Sequence, residues 1–406
     1  MSKVTILQVV PRLDAGGSEQ TTVEIADALA RAGARALVAT EGGRMATAIE
    51  RSGGEIVPLP LASKNPLTVL SNTRALARLI EERGVDLVHA RSRAPAWSAL
   101  RAARATSRPF VTTYHGAYGK PGPLKALYNS VMGRGDRVIA NSEYTASLIA
   151  SRQPEARARV RVIYRGVDSA VFDPQAVPGE RVAALRQAWG VEPGTRIVLH
   201  AARLSGLKGQ RQTIEAASRL VRDGKLADTV VIFAGDDAPG KAGYRRELLD
   251  LVAQSGLAGK VRLVGHCSDM PAAFLAAHVA LMPSLVPETF GRASVEAQAM
   301  GCPVIASDLG ALPETLEALD KASGFTGWLV PAKDPGALAE AMGHALALSP
   351  AERAKIGERG RARVGARFTL GRLQQATLAV YDELLGSQLA RRFNQDVLAK
   401  QRPNSA

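Results

Sequence analysis

Residues 283–308 read PSLVPETFGRASVEAQAMGCPVIASD. An apolar run, HVALMPS (278–284), leads into the stretch, and a second, CPVIAS (302–307), closes it. Between them Glu288 and Glu296 stand eight positions apart, with Gly291 in the gap. A helix opening after Gly291 leaves Glu288 in the loop and puts Glu296 in the helix. The amides of Phe290, Gly291 and Arg292 then form a helix N-terminus suited to a sugar hydroxyl or a phosphate. The two oxygens of Glu296 suit vicinal hydroxyls, as on a ribose. Taken singly, each glutamate also reads as an ordinary acidic residue complementing a helix dipole.

Outward from this stretch, short β-branched runs alternate with amphipathic segments. VTILQVV (4–10), RALVAT (35–40), DLVHA (86–90), PFVTTYH (109–115), RVIAN (137–141) and VRVIY (160–164) read as strands. After RGVDSAVFDPQAVPGE (165–180), which carries neither periodicity and reads as a linker, a second series begins. Its strands are RIVLHAAR (196–203), TVVIFAG (229–235), KVRLVG (260–265) and the two runs named above. Continuous apolar strands alternating with helices predict parallel sheets covered on both faces. The expected fold is therefore α/β, with two Rossmann-like, doubly wound domains facing a cleft. The expected boundaries are 1–172, 173–368, a helix at 369–390 and a basic, frayed tail at 391–406.

In open parallel sheets ligands bind beyond the carboxyl ends of the strands, which directs attention to the residues following each run. DAGGSEQ (14–20) follows the first strand. Gly16 and Gly17 there bring backbone amides near an anion at a helix start, although a plain turn with Ser18 as N-cap reads equally well. It is neither a GxGxxG nor a Walker loop. Arg203 and Lys208, in AARLSGLKGQ, flank a turn and can converge on a diphosphate. His115 ends a strand ahead of the Gly/Pro-rich AYGKPGP, a candidate substrate gate. His89 reads as a structural, hydrogen-bonded histidine.

Composition narrows the rest. No apolar run is long enough to span a bilayer and no signal-peptide cleavage pattern is present, so a cytoplasmic location is expected. Cys267 and Cys302 have no CxxC partner, the six histidines are scattered, and no metal site is expected. Residues 1–172 hold 24 Lys+Arg against 14 Asp+Glu, a surplus of 10 within a net charge of +14. Arg91, Arg93, Arg101, Arg104 and Arg108 cluster, as do Arg157, Arg159, Arg161 and Arg165. Such a face attracts phosphate, whether on a membrane or a substrate, and it also matches a merely solvated arginine-rich surface. No recognised module or aromatic-interleaved stripe supports a nucleic-acid binder.

Together these motifs resemble the family-4 glycosyltransferases of GT-B fold. The resemblance runs through Gly16-Gly17, Tyr114-His115-Gly116, RGVDSAVFDP (165–174), R-L-x-x-x-K-G (203–209), AGD (234–236) and E-T-F-G-x-x-x-x-E (288–296). It implies a retaining, metal-independent hexosyltransferase that needs no cofactor and uses a nucleotide-diphosphate sugar as co-substrate. Glu296 would hold the ribose, Arg203 and Lys208 the diphosphate, and Glu288 with the Phe290–Gly291 amides the sugar. Arg292 belongs to the same donor-binding stretch. His115 would sit beside the donor sugar near the reacting carbon, making His115 and Glu288 the implied catalytic residues, and Gly16-Gly17 would close on the phosphates. The implied acceptor is a glycolipid or lipid-linked saccharide of lipopolysaccharide or exopolysaccharide assembly, with the basic first domain peripheral on the anionic inner face of the membrane. The final helix is expected to cross back onto the first domain. Ala202, Asp237 and Ala311 depart from the family pattern around the donor pocket. A nucleotide-sugar epimerase of the same fold is the alternative.

Overall fold

The computed structural model describes residues 3–14, 16–116, 122–237, 243–318 and 324–401. The chain forms two compact units, Met1–Arg165 with Leu370–Ala406, and Gly166–Thr369.

The first unit is built on strands β1 (Thr5–Val9), β2 (Arg35–Thr40), β3 (Glu55–Pro58), β4 (Leu87–Ala90), β5 (Phe110–Tyr114), β6 (Arg137–Ala140) and β7 (Val160–Val162). They lie in the order β3-β2-β1-β4-β5-β6-β7, with every pairing parallel. The second unit holds β8 (Arg196–Ala201), β9 (Thr229–Ala234), β10 (Val261–Gly265), β11 (Val279–Met282), β12 (Val304–Ser307) and β13 (Gly327–Val330). Their order is β10-β9-β8-β11-β12-β13, again parallel throughout. Both are doubly wound sheets, as the alternating apolar runs predict. In each, the order reverses beside the first strand in the chain, and it is there that crevices open at strand ends.

Five helices bear on function: α1 (Gly17–Arg31), α2 (Gln210–Arg222), α3 (Arg292–Ala299), α4 (Leu370–Leu385) and α5 (Leu389–Gln401). One face of the first sheet buries Ile6, Val38, Leu87, Val111 and Ile139 against Ile25 and Leu29 of α1. Leu373, Leu378 and Tyr381 of α4 and Phe393 of α5 join the same core. The expected return of the final helix to the first unit is thus seen. The frayed tail is not: Leu389, Phe393 and Val397 recur at helical spacing and pack on this core, and Asp382 accepts from the amides of Leu389 (2.8 Å) and Ala390 (2.9 Å). Residues 402–406 lie outside the described residues.

The segment read as a linker is also more ordered than expected. Val167 donates its amide to Phe368 O at 2.8 Å and bridges Thr369, so the outgoing and returning chains are tied together inside the second unit. The chain passes between units at Arg165–Gly166 and returns at Thr369–Leu370. No described helix is long and apolar enough to cross a membrane.

Candidate active site

The second unit gathers one set of candidates at the ends of β8 and β11. Beyond β8 the chain turns through Arg203 and Lys208 into α2. Arg203 is exposed, and none of the described residues pairs with its guanidinium. Its backbone carbonyl is held by Nε2 of buried Gln210, 3.0 Å away. Beyond β11, Glu288 sits in the loop before α3. Lys208 Nζ donates to Glu288 Oε1, and Ser284 Oγ donates to the same oxygen at 2.6 Å. The two halves of the sequence pattern therefore meet side chain to side chain, and Ser284, buried at the end of β11, orients the carboxylate.

Phe290 points into the core, 2 % exposed, its ring edge-on to Phe368 at 5.8 Å. That leaves only its backbone for a ligand. Gly291 is the N-cap of α3 at φ 93°, a left-handed conformation that favours glycine, and a Cβ there would come within 2.5 Å of Leu312 Cδ2. Arg292 Nε donates to Glu296 Oε1 at 2.9 Å across one turn of α3. Glu296 thus lies in the helix and Glu288 before it, as read from the sequence. Glu288 is pinned further by its bridge to Gly310 and by the Ala311 amide, which donates to its carbonyl at 2.9 Å. Ala311, which departs from the family pattern, is fully buried.

The first unit gathers a second set. Helix α1 starts at Gly17, with Gly16 as its N-cap. Ser18 does not cap it: its hydroxyl donates instead to Glu19 Oε2 at 2.7 Å. His115, just past β5, is half-buried, and its Nδ1 accepts from Arg165 Nη2 at 2.8 Å. Burial first, then the cations of Arg165 and Arg91, hold its imidazole well below the usual 6.5. Arg165 itself is 8 % exposed and lies against Gly17, where a Cβ would fall 1.7 Å from Nη1. His89 is structural, as expected: its Nδ1 lies 2.7 Å from Tyr381 Oη and its Nε2 2.7 Å from Thr113 Oγ1. Of the candidate gate, residues 117–123, positions 117–121 lie outside the described residues, and Gly122 caps a helix that begins at Pro123.

The basic face needs correction. Arg91 is buried, with Nε and Nη2 donating to Gln8 Oε1 at 2.9 and 2.6 Å. Arg104 pairs with Asp136, Arg161 with Glu383, and Arg159 caps the carbonyls of Gly133 and Gly135. Arg93 donates to Asn129 Oδ1 at 2.8 Å. Much of the predicted surface charge is therefore structural, because a planar guanidinium satisfies several acceptors at once. Arg101, Arg108 and Arg157 remain exposed. Sequence reading placed Arg91 and Arg165 on this face and missed their packing. The signal was available, since Arg91 directly follows β4 and Arg165 lies three residues beyond β7, and buried site residues concentrate past strand ends. Among the described residues no group of three or more His, Cys, Asp or Glu is placed to hold a metal ion.

Two doubly wound parallel units with cations and a helix N-terminus at the strand ends define the GT-B class. Residues 15–171 match the family model "Glycosyltransferase Family 4", and residues 182–363 match "Glycosyl transferases group 1". A glycosyltransferase from Rickettsia africae is 31% identical, with a TM-score of 0.86 over 96% of this chain and all of that one. The D-inositol 3-phosphate glycosyltransferase of Mycobacterium tuberculosis is 32% identical over 277 residues, 68% of this chain and 54% of the relative. The chain thus spans about half the length of the curated relatives it matches. The Anabaena protein HepE, solved with UDP and glucose, shares the fold at a TM-score of 0.81 and 24% identity, covering 94% of this chain and all of that one. The chain belongs to the family-4 glycosyltransferases of GT-B fold.

Proposed function

We propose that this chain transfers a hexosyl unit from a nucleoside-diphosphate sugar to a hydroxyl group, with retention of configuration and without a metal ion. The bond from the anomeric carbon to the diphosphate oxygen breaks, and its electron pair leaves with the diphosphate. A bond from the same face forms to the acceptor oxygen, whose proton passes to the departing diphosphate oxygen. The principal electrostatic task is the charge growing on the leaving diphosphate. Lys208 and the exposed cation of Arg203 take that role. Glu296 holds the ribose, Glu288 and the Phe290–Gly291 amides hold the sugar, Gly16-Gly17 serve the phosphates, and His115 acts at the reacting end. Arg292 orients Glu296.

The observation carrying this reading is the Lys208–Glu288–Ser284 cluster beside the α3 N-terminus, a cation and a fixed carboxylate within one loop pair. UDP-, GDP- and ADP-sugars, screened for thermal stabilisation of the full chain, test it: a ligand bound by the native state raises its stability. Stabilisation by none of the three would sink the reading. Trapping a sugar covalently on a carboxylate would sink front-face transfer, and conversion of donor alone to its epimer would favour the epimerase.

For the acceptor, the reading is a glycolipid or lipid-linked saccharide of envelope polysaccharide assembly, reached from the cytoplasmic membrane face. The exposed Arg101, Arg108 and Arg157 supply the cationic surface. A second reading, a soluble polyol phosphate, is favoured by the naming of the mycobacterial relatives for D-inositol 3-phosphate. Offering both acceptor classes with the donor that stabilises the protein separates them.

A further inference from the structure

Strand β5 delivers His115 to the sheet edge, and the chain leaving β7 delivers Arg165 to the same place. Arg165 Nη2 lies 2.8 Å from His115 Nδ1. A guanidinium only donates, so Nδ1 must accept and cannot carry a proton. The alternative neutral tautomer would set two donors face to face at that distance. Imidazolium would do the same and add like-charge repulsion. Of the three states of the ring, one fits.

The arginine is held for this purpose by its surroundings. It is 8 % exposed, and its head lies on the backbone of Gly17, where any Cβ would collide with Nη1 at 1.7 Å. Among the described residues, the ionisable groups acting on the histidine include Arg165 beyond β7, Arg91 just past β4 and the neutral His89 within β4. Helix α1 contributes the buried Glu24, which favours the charged form of Arg91. Lys120 and Tyr118 lie outside the described residues.

We infer that Arg165 is a positioning residue that locks His115 as a neutral imidazole with its proton on Nε2, so that the ring offers a ligand a hydrogen-bond donor and no basic nitrogen. This rests on the proposed role of His115 at the sugar, and it excludes that residue as the general base for the acceptor. Burial and the neighbouring cations act in the same direction, against protonation. Glycine at position 17 is then the condition for the lock, because it alone admits the arginine head.

The test is long-range nitrogen–proton NMR on the full chain labelled at its six histidines, with His115 assigned by His115→Gln. No nucleotide sugar is required, so the result stands apart from the donor reading. Wild type should show His115 with Nε2 protonated and Nδ1 bare, unchanged from pH 8 to below 6.5. Arg165→Gln should raise the titration midpoint toward the ordinary 6.5 and let the second tautomer appear, while Arg165→Lys, retaining the charge, should restore the low midpoint. Turnover by Arg165→Gln should then fall most steeply at acid pH, with a smaller loss near pH 8. A proton on Nδ1 in wild type overturns the inference, and this readout survives even if the variants fail to fold. So does an unchanged tautomer and midpoint in a folded Arg165→Gln protein, or a loss of turnover equal at every pH.

Discussion

Lys208 donates to the carboxylate of Glu288, joining the turn after β8 to the loop before α3. Each side chain is thereby held at a position set by a different strand. On the proposed reading an arriving diphosphate would compete with Glu288 for the ammonium, while the Ser284 hydroxyl would keep the carboxylate anchored. Lys208→Ala should therefore weaken binding of the stabilising nucleoside diphosphate by roughly 10- to 100-fold, the worth of one charge-assisted hydrogen bond. Glu288→Gln keeps the Ser284 contact, and should lower turnover about a hundredfold with little change in nucleotide affinity. Calorimetric titration beside steady-state kinetics separates the two, and undiminished nucleotide binding by Lys208→Ala would show the site to be misplaced.

Gly17→Ala should act through Arg165. The added methyl overlaps Nη1, so the arginine head must leave, while the α1 backbone at position 17 tolerates alanine. The expected outcome is loss of turnover with a melting temperature near that of wild type. Unchanged kinetics would show that the arginine can be displaced without consequence.

Acid should destabilise the protein through its buried histidines. His200, in β8, lies between Thr213 and the ring of Phe233, and burial brings it down to about 3 from 6.5. The unfolded chain binds the proton first, so the stabilisation is complete above pH 6.5 and drains away as pH falls toward 3. The slope is about 1.4 kcal/mol per pH unit for each such group. His89 and His115 are shifted the same way. Urea unfolding at pH 7, 5.5 and 4.5 should show stability falling with pH, and His200→Gln should reduce the slope by one proton. An unaltered slope would mean that His200 charges freely in the native state.

Tyr381→Phe should cost about 1–3 kcal/mol, because it strips a partner from a buried histidine while removing no packing volume. Hydrogen exchange should quicken in β4, β5 and α4 and leave the second unit unchanged. Uniform change across both units would argue that the two do not respond separately.

The membrane reading now rests on fewer residues. Anionic vesicles should retain the protein and neutral ones should not, with retention lost on adding salt. Replacing Arg101, Arg108 and Arg157 together by Glu should abolish it. Equal retention on neutral vesicles would count against a cationic surface.

The central strands were legible because parallel strands buried on both faces read as continuous apolar runs. The two strands that escaped notice, β3 and β13, both lie at sheet edges. EIVP at β3 is half-exposed, and such strands lack the apolar continuity that marks the interior. Glu288, Glu296, Arg203 and Lys208 could be placed from strand ends and one glycine. Their mutual contacts could not, since Lys208 and Glu288 are eighty residues apart in the chain. Arg91 and Arg165 were misread for the same reason, as charge in a sequence does not disclose which acceptors the fold will bring to it. The spacing of Leu389, Phe393 and Val397 carried a signal for α5 that the basic composition of 391–406, read as a frayed tail, outweighed.

The first unit is discontinuous, and this sets an order of events during synthesis. Its core takes Tyr381 and Phe393 from segments made after the second unit, 166–369, which is complete once its own contiguous stretch has left the ribosome. The half translated first must therefore finish folding second. Until α4 and α5 emerge, one face of its sheet stays open, with His89 lacking the phenol that will hold it. Nascent chains of this protein are most in need of a chaperone before α4 and α5 emerge, and a break in the chain after residue 369 would leave the sheet of the first unit without them.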